Sequence, residues 1–305
     1  MAWACAVLVL AITSLSAFIR LSTAGLGCEP WPQCYGEAWR MAGEGLSAAP
    51  RAGVAAARIA HRVLAVAALL LIIAMIMSSY SKQPVLRREG RLVLGLLALA
   101  LFLAILGRWT AGARVPAVTL GNLLGGFAMF ALSCRLVAAL SRPSQAAPPP
   151  AWLTRWAWAG AALLLLQVVL GGLVSAGHAG LSCPQLAGCD TAAGSWKLLN
   201  PWHEPPIDAA DVTHRAGALV HELHRAGLWV LAAVLLPLGA VAWRRGRRAG
   251  AWLLALLAVQ AGLGFTLVAG GLPLAVALAH NIVAALLLAV MLALAGGNAS
   301  THPAP

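Results

Sequence analysis

Long apolar stretches alternate with short polar segments along the whole chain. A helix needs about 20 apolar residues to cross a bilayer, and eight stretches approach or exceed that length. They run over 2–19, 54–77, 91–107, 116–140, 152–174, 213–240, 250–268 and 273–296. The stretches are rich in Ala and Leu and lack the period-two alternation of a membrane β-barrel. The pattern therefore predicts an all-α integral membrane protein with eight transmembrane helices.

The composition agrees with this prediction and excludes other classes of protein. Of the 305 residues, 61% are hydrophobic and only 10% are charged, whereas soluble domains contain about 25% charged residues. A soluble enzyme, a disordered protein and a small disulfide-stabilised protein are thereby excluded. The formal net charge is +12, but basic charge on a membrane protein is more often an orientation signal than a nucleic-acid interface. We expect a lipid bilayer, and no nucleic acid, as a partner.

The distribution of basic residues predicts how the chain lies in the membrane. Arg and Lys are concentrated between spans two and three, four and five, and six and seven, and nearly all acidic residues fall in the other connections. Because short basic connections stay in the cytoplasm, these three are predicted to be cytoplasmic. Both termini are then cytoplasmic too. The predicted location is the cell inner (plasma) membrane, which the chain crosses several times.

The two halves of the chain repeat the same features in the same order. Each half contains an Ala-Gly-Leu motif with a Cys-x5-Cys pair, then a His-Arg pair, then a Gly and a Pro before its fourth span. The matched positions are Cys28 and Cys34 with Cys183 and Cys189, His61-Arg62 with His224-Arg225, and Gly107 and Pro116 with Gly264 and Pro273. An even number of spans in each half makes the repeats parallel. We expect two pseudo-symmetric four-helix bundles.

This repeat divides the chain into two units and two short segments. Residues 1–141 form an N-terminal four-helix unit, and residues 152–296 form a C-terminal four-helix unit. Residues 142–151 are rich in proline and are predicted to be a cytoplasmic linker. Residues 297–305 are predicted to be a disordered tail.

The four loop cysteines have a spacing that allows two interpretations. Both pairs fall in connections predicted to be extracytoplasmic, where disulfides are permitted, and a loop of this length can bring two Cα atoms within bridging distance. A zinc site would need four ligands, and neither loop supplies four obvious ones. Structural disulfides are the favoured interpretation, and a redox-active thiol pair is the main alternative.

Five histidines lie inside predicted spans, and the main functional candidates among them are His61, His224 and His280. A histidine within the membrane is costly and is a functional hypothesis by default. At a rise of about 1.5 Å per residue, each of these three candidates lies about 10–17 Å below the outer surface. Two imidazoles at similar depth on different helices of one bundle suit the two axial ligands of a heme iron. His221, one turn before His224, and His214, nearer the start of the same span, could substitute as a ligand or only form hydrogen bonds, and the second interpretation is favoured. Arg62 and Arg225 could pair with heme propionates or extend to the membrane surface.

These motifs and their order resemble those of the heme A synthase family of cytochrome oxidase assembly proteins. The resemblance covers about residues 5–296. It rests on the segments Arg20-Leu21-Ser22-Thr23-Ala24-Gly25-Leu26-Gly27-Cys28, Trp31-Pro32, Leu123-Leu124-Gly125-Gly126 and His280-Asn281, with the repeated cysteine and His-Arg motifs. It implies an oxidoreductase for cytochrome oxidase biogenesis, which oxidises the methyl group of heme o to the formyl group of heme a by successive hydroxylations and loss of water.

The resemblance also implies roles for individual residues and partners. His224 and His280 match the ligands of a retained heme b in the C-terminal unit, and His61 matches one of two histidines that face the iron of the substrate heme o in the N-terminal unit. The two cysteine pairs match extracytoplasmic disulfide positions of the family. Expected partners are heme o synthase and an electron donor of unidentified class, and an oligomer is compatible with the family.

Two positions depart from the family pattern. Asn122 stands where a second N-terminal histidine is usual, and Arg58 stands where a glutamate thought to be catalytic is usual. With Asn122, a substrate heme would be held through His61 alone, which leaves one face of the iron open to oxygen, and the amide could donate a hydrogen bond there. Arginine does not titrate in practice, so Arg58 cannot perform acid–base work, although it could bind a propionate. The catalytic candidates are His61, Asn122 and Arg58.

Two other functions compete with heme o oxidation. The departures in the N-terminal unit would also suit a catalytically altered or inactive heme-binding membrane protein that acts in electron transfer or heme delivery. Eight helices in two repeats are typical of some transporters. However, transporters usually have inverted repeats with broken helices near the middle of the membrane, whereas these repeats are parallel and their histidines lie nearer one surface.

Overall fold

The computed structural model describes residues 1–46, 52–81, 86–110, 113–141, 149–208 and 210–295. Most of the predicted linker and the predicted tail lie outside these residues. The described residues contain nine α-helices and no β-strand. The helices are α1 (Ala2–Ala24), α2 (Glu37–Gly43), α3 (Ala52–Ser81), α4 (Arg87–Thr110), α5 (Pro116–Leu140), α6 (Ala151–Ala176), α7 (Ala218–Arg244), α8 (Arg248–Ala269) and α9 (Leu274–Ala295).

Eight of these helices, all except α2, are long and apolar enough to cross a membrane. This confirms the predicted all-α membrane protein with eight spans. The helix boundaries differ from the predicted ones by up to five residues, and one short helix was not predicted. Helix α7 begins at Ala218 and not near residue 213, since His214 has a positive φ of 51° that a right-handed helix cannot include. The short helix α2 was not predicted, because its seven residues contain no apolar run.

The eight long helices form two rings of four. In the N-terminal unit, α1 and α4 each pack against both α3 and α5. In the C-terminal unit, α6 and α8 each pack against both α7 and α9. Helices α3 and α5 therefore stand at opposite corners of one ring, as α7 and α9 do in the other. This order of contacts agrees with the repeat in the sequence, and the pseudo-symmetry of the two bundles stays a prediction.

The two rings pack directly against each other. Helices α1 and α5 of the N-terminal unit both contact α6 and α9 of the C-terminal unit. Small residues allow this approach, as is usual for helices in lipid. At Gly172 of α6, an added Cβ would collide with the side chain of Leu120 on α5. One apolar cluster, which includes Phe127 and Leu287, consequently runs through both units.

Both cysteine pairs form disulfides, and both lie at one end of the bundle. The Cys28–Cys34 bond closes the loop after α1, and the Cys183–Cys189 bond closes the loop after α6. Tyr35, next to the first bond, packs in one apolar cluster with residues of the C-terminal unit. We call this end of the bundle the disulfide end.

Candidate functional site

His224 and His280 meet inside the C-terminal ring. Each is the seventh residue of its helix counted from the disulfide end, which places both about 9 Å along the helix axis. Helices α7 and α9 stand at opposite corners of the C-terminal ring of helices. The imidazoles of His224 and His280 therefore point toward each other across this unit. Their centroids are 6.4 Å apart and their planes are inclined by 73°.

Neighbouring residues orient His224 and leave room for both rings. The Gln167 side-chain nitrogen on α6 donates to the backbone oxygen of His224 at 2.6 Å and lies 3.2 Å from its Nδ1. The remaining ring nitrogen, Nε2, is therefore the one available to a ligand. A Cβ at Gly171 would lie 2.8 Å from Cε1 of His224, and a Cβ at Gly264 would lie 3.4 Å from Cε1 of His280.

This pair of imidazoles fits a heme iron. A metal–imidazole bond is about 2.0–2.1 Å long, so one iron bonded to two opposed imidazole nitrogens holds the ring centroids about 6 Å apart. The observed separation of 6.4 Å matches this value. Other features are also typical of a ligand site. Gly171 and Gly264 leave space beside the two imidazoles, and the Gln167 amide orients the imidazole of His224.

The N-terminal candidates lie on the corresponding helices of the other ring. His61 is on α3 and Asn122 is on α5, which stand at opposite corners. His61 and Asn122 are half-buried, whereas the side chains of Arg58 and Arg62 are exposed. Arg58 precedes His61 by about one helical turn and so shares its face of α3. The sequences of α3 and α5 contain no acidic residue, so this ring offers an imidazole, an amide and guanidinium groups but no carboxylate from these two helices.

Arg225 has partners in the second disulfide loop. Its guanidinium donates to the backbone oxygens of Gln185, at 3.0 Å, and of Leu186. It also lies 3.7 Å from the carboxylate of Glu222. These contacts fasten the loop closed by Cys183–Cys189 to α7, and they engage the group that the sequence suggested as a propionate partner.

A buried aromatic cluster at the disulfide end joins the two units, and the sequence analysis did not single it out. The ring of Tyr35 lies 5.4 Å from that of His178 and 5.6 Å from that of His214, measured between centroids. Each histidine is only 5% exposed. Gly36 follows Tyr35 with a positive φ of 76°, and a Cβ there would contact both imidazoles. No periodic pattern marks Tyr35 and His178, because they lie in loops, and His214 lies just before α7 in the stretch that was predicted as part of a span.

Both loop histidines of this cluster are held neutral. Burial, together with electrostatic interaction with His214 and Arg40, lowers the pKa of His178 to about 3. Burial also lowers the pKa of His214. Because an uncharged imidazole packs well against aromatic rings, the cluster joins the N-terminal loop to the C-terminal unit at neutral pH.

Arg20 is a second feature that the sequence quoted only as part of a motif. It lies near the end of α1 and donates from Nη1 to Oγ of Ser175 on α6. Its Nη2 donates to Oδ1 of Asn281 on α9 at 3.3 Å. In the described part of the chain, no carboxylate lies within ion-pair distance of this guanidinium.

A polar cleft of about 580 Å³ opens between the loops of the two units. Arg114 stacks on the ring of Trp39 at 5.2 Å and forms an ion pair with Glu204 across it. The lining contains neither histidine nor cysteine. We therefore place the candidate chemistry at the histidines within the rings and not in this cleft.

Comparison with known proteins relates the whole chain to one family. Residues 1–292 match the family described as cytochrome oxidase assembly protein. The heme A synthase of Shewanella oneidensis is 30% identical over 314 residues, which cover 92% of this chain and 91% of that protein. The heme A synthase of Sphingopyxis alaskensis is 34% identical over 168 residues, covering 52% of this chain and 43% of that protein. That of Methylobacterium sp. is 35% identical over 191 residues, covering 59% and 51%.

Proposed function

Because the chain belongs to the cytochrome oxidase assembly protein family, we propose that it oxidises the methyl group of heme o to the formyl group of heme a for cytochrome oxidase biogenesis. A relative named heme A synthase that matches over 91% of its own length supports this function. The structural observation that carries the proposal is the facing pair His224 and His280, with centroids 6.4 Å apart inside a membrane-spanning ring.

In this proposal, the C-terminal unit holds a resident heme b. His224 and His280 would hold its iron. Gln167 fixes the orientation of the His224 ring through its contact with Nδ1, and Gly171 and Gly264 leave the rings their space. A heme bound there supplies one-electron transfer. The protein excludes water from it, because the ligands lie within the apolar bundle.

The N-terminal unit receives heme o as the substrate, with His61 facing its iron. Each of two hydroxylations takes one oxygen atom of O₂ into a C–H bond of the methyl group, while two electrons and two protons convert the other atom to water. The resulting geminal diol loses water to give the formyl group. Asn122 stands on the opposite corner helix, where its amide can donate a hydrogen bond. Arg58 carries a fixed positive charge and binds a propionate of the substrate.

The proposal also states how the protein is oriented in the membrane and which role each unit has. The disulfide end faces the extracytoplasmic side, and both termini are cytoplasmic, as the basic residues predict. The membrane is the cell inner membrane. Residues 1–141 form the substrate unit and residues 152–296 form the heme b unit. Heme o synthase supplies the substrate, and a separate donor supplies the electrons.

Heme analysis after expression in a host that makes heme o tests this function. We expect the extracted hemes to include the hydroxymethyl and formyl products, identified by chromatography and mass. A His61→Ala variant is expected to lose the products and keep the heme b spectrum, whereas the loop variant His203→Ala is a matched control that keeps both. A protein that retains heme b but yields no product, with O₂ and reductant supplied, would contradict the proposed reaction.

One observation favours a heme protein without turnover as the second candidate. Helices α3 and α5 contain no carboxylate, and Arg58 reverses the charge at the position where the family usually has glutamate. Such a protein would transfer electrons or deliver heme. Arg58→Glu separates the two candidates, because restoring the carboxylate should increase product only in a chain that is built for the reaction. If neither the wild type nor Arg58→Glu forms product, the second candidate is favoured.

A further inference from the structure

Arg20 is a cation that lies between the two units, and its hydrogen-bond acceptors among the described residues are neutral groups. Its two hydrogen-bond acceptors are the Ser175 hydroxyl and the Asn281 side-chain oxygen. A guanidinium carries five N–H donors, and these contacts use two of them. A charge inside a membrane bundle is costly unless it is paired. In the part of the chain that the structure describes, no acidic side chain pairs with this guanidinium.

The two residues that accept hydrogen bonds from Arg20 also carry donor groups of their own. The side-chain nitrogen of Asn281 is buried and has no hydrogen-bond partner in the described structure. The Ser175 hydroxyl accepts from Arg20, which leaves its own hydrogen free to donate. Guanidinium, amide and hydroxyl donors on three different helices favour an anionic oxygen ligand, such as a carboxylate.

The two partners of Arg20 flank the histidine pair. Asn281 directly follows His280 in α9. Ser175 lies one helical turn beyond Gly171 in α6, and Gly171 is the residue that touches the ring of His224. Because residues four apart share a helix face, Ser175 and Gly171 face the same interior. The unpaired donors thus lie beside the place where we put heme b.

We propose that Arg20, which belongs to the N-terminal unit, binds a propionate carboxylate of the heme held by His224 and His280. This inference rests on the heme site proposed above. Arg225, the other candidate for this role near the pair, already donates to the backbone of the second disulfide loop. The resident heme site is accordingly completed by a helix from the opposite unit.

Esterified heme provides a direct test. The full-length chain, carrying His61→Ala so that only the C-terminal site binds, is produced without heme and titrated with protoheme and with protoheme dimethyl ester. Absorbance in the Soret region reports binding. We expect the free acid to bind about tenfold more tightly than the ester, because only the acid forms charge-assisted hydrogen bonds. In Arg20→Gln, we expect this preference to fall to about twofold or less.

Two further variants make the outcome decisive. Arg155→Gln, at an exposed position near the start of α6 and away from the disulfide end, is the matched control and is expected to keep the tenfold preference of the parent. Arg20→Lys keeps the charge but not the bidentate geometry, so we expect an intermediate preference. If Arg20→Gln does not fold, Arg20→Lys carries the test. If neither substitution at residue 20 changes the preference for the free acid over the ester, the inference is overturned. If neither form of heme binds to the parent chain, the proposed heme site itself fails, and the inference fails with it.

Discussion

The ring of His224 lies directly against the backbone of Gly171, at a point where an added methyl group would be 2.8 Å from Cε1 of the imidazole. This contact joins α6 to α7 and fixes how far the ring extends into the C-terminal unit. On the other side, the Gln167 amide lies 3.2 Å from Nδ1. The position of the imidazole therefore depends on the missing side chain at Gly171 and on the amide of Gln167.

Gly171→Ala should displace the His224 ring and weaken heme binding. Overpacking of this kind typically costs about 1–3 kcal/mol, so we expect the purified protein to contain several-fold less heme b. Heme per polypeptide and the reduced-minus-oxidised spectrum measure the effect. Gly262→Ala in α8 is the matched control, because no atom lies within 4 Å of a Cβ at that position. Equal heme content in the two variants would argue against the assignment of His224.

Gln167→Leu should weaken the heme site without removing a ligand. The substitution removes the hydrogen bonds to Nδ1 and to the backbone oxygen of His224. Loss of such an orienting partner typically lowers metal affinity about 10–100-fold. Titration of the heme-free protein measures the affinity, and the exposed residue Gln33 provides the control variant Gln33→Leu. An affinity equal to that of the control would show that Gln167 does not orient a ligand.

Asn122→His should lower turnover in the N-terminal unit. It places a second imidazole on the corner helix opposite His61, in the arrangement that α7 and α9 already have. The second imidazole would compete with oxygen for the face of the substrate iron that Asn122 leaves open. We expect at least about tenfold less heme a, a loss of roughly 1.4 kcal/mol of transition-state stabilisation. Extracted hemes report the product. More product from the variant than from the wild type would mean that an open iron face is not required.

The buried His178 should make the protein less stable in mild acid. Its pKa is about 3 in the folded protein and about 6.5 when unperturbed. Between these values the unfolded chain binds a proton that the folded chain does not, so the free energy of unfolding falls as the pH drops below 6.5. At pH 5 the loss is about 2 kcal/mol.

Thermal unfolding in detergent at pH 7.5 and at pH 5.0 measures this effect. His178→Asn should reduce the difference in Tm between the two pH values, because asparagine does not titrate and tolerates the positive φ of 53° at this position. The loop variant His203→Asn is the control and should retain the wild-type difference. If His178→Asn also retains it, another group causes the acid sensitivity.

The eight spans could be predicted from the sequence because lipid imposes a simple rule of length and polarity. The candidates His224 and His280 could be predicted for a similar reason, since a polar residue within an apolar run is easily recognised. The neutral partners of Arg20 could not be predicted. Ser175 and Asn281 lie 155 and 261 positions away along the chain, and nothing in local periodicity connects them.

The Tyr35 cluster illustrates a different limit. His178 and His214 occupy loops with positive φ, and their burial results from the fold of a loop in the other unit. The sequence pattern assigns His178 to a loop and His214 to the predicted span 213–240, and neither assignment reveals their contact with Tyr35. Only the packing of the first disulfide loop on the C-terminal unit shows that both imidazoles are interior.

The direct packing of α5 on α9 has a consequence for how the two units can vary in sequence. These two helices carry Asn122 and His280, so a bulkier or smaller side chain at their contact changes the packing of both units. Helices α4 and α8 stand at the far corners of the two rings, and substitutions there affect the packing of one unit alone. The corner helices can therefore accept substitutions independently, whereas α5 and α9 constrain each other.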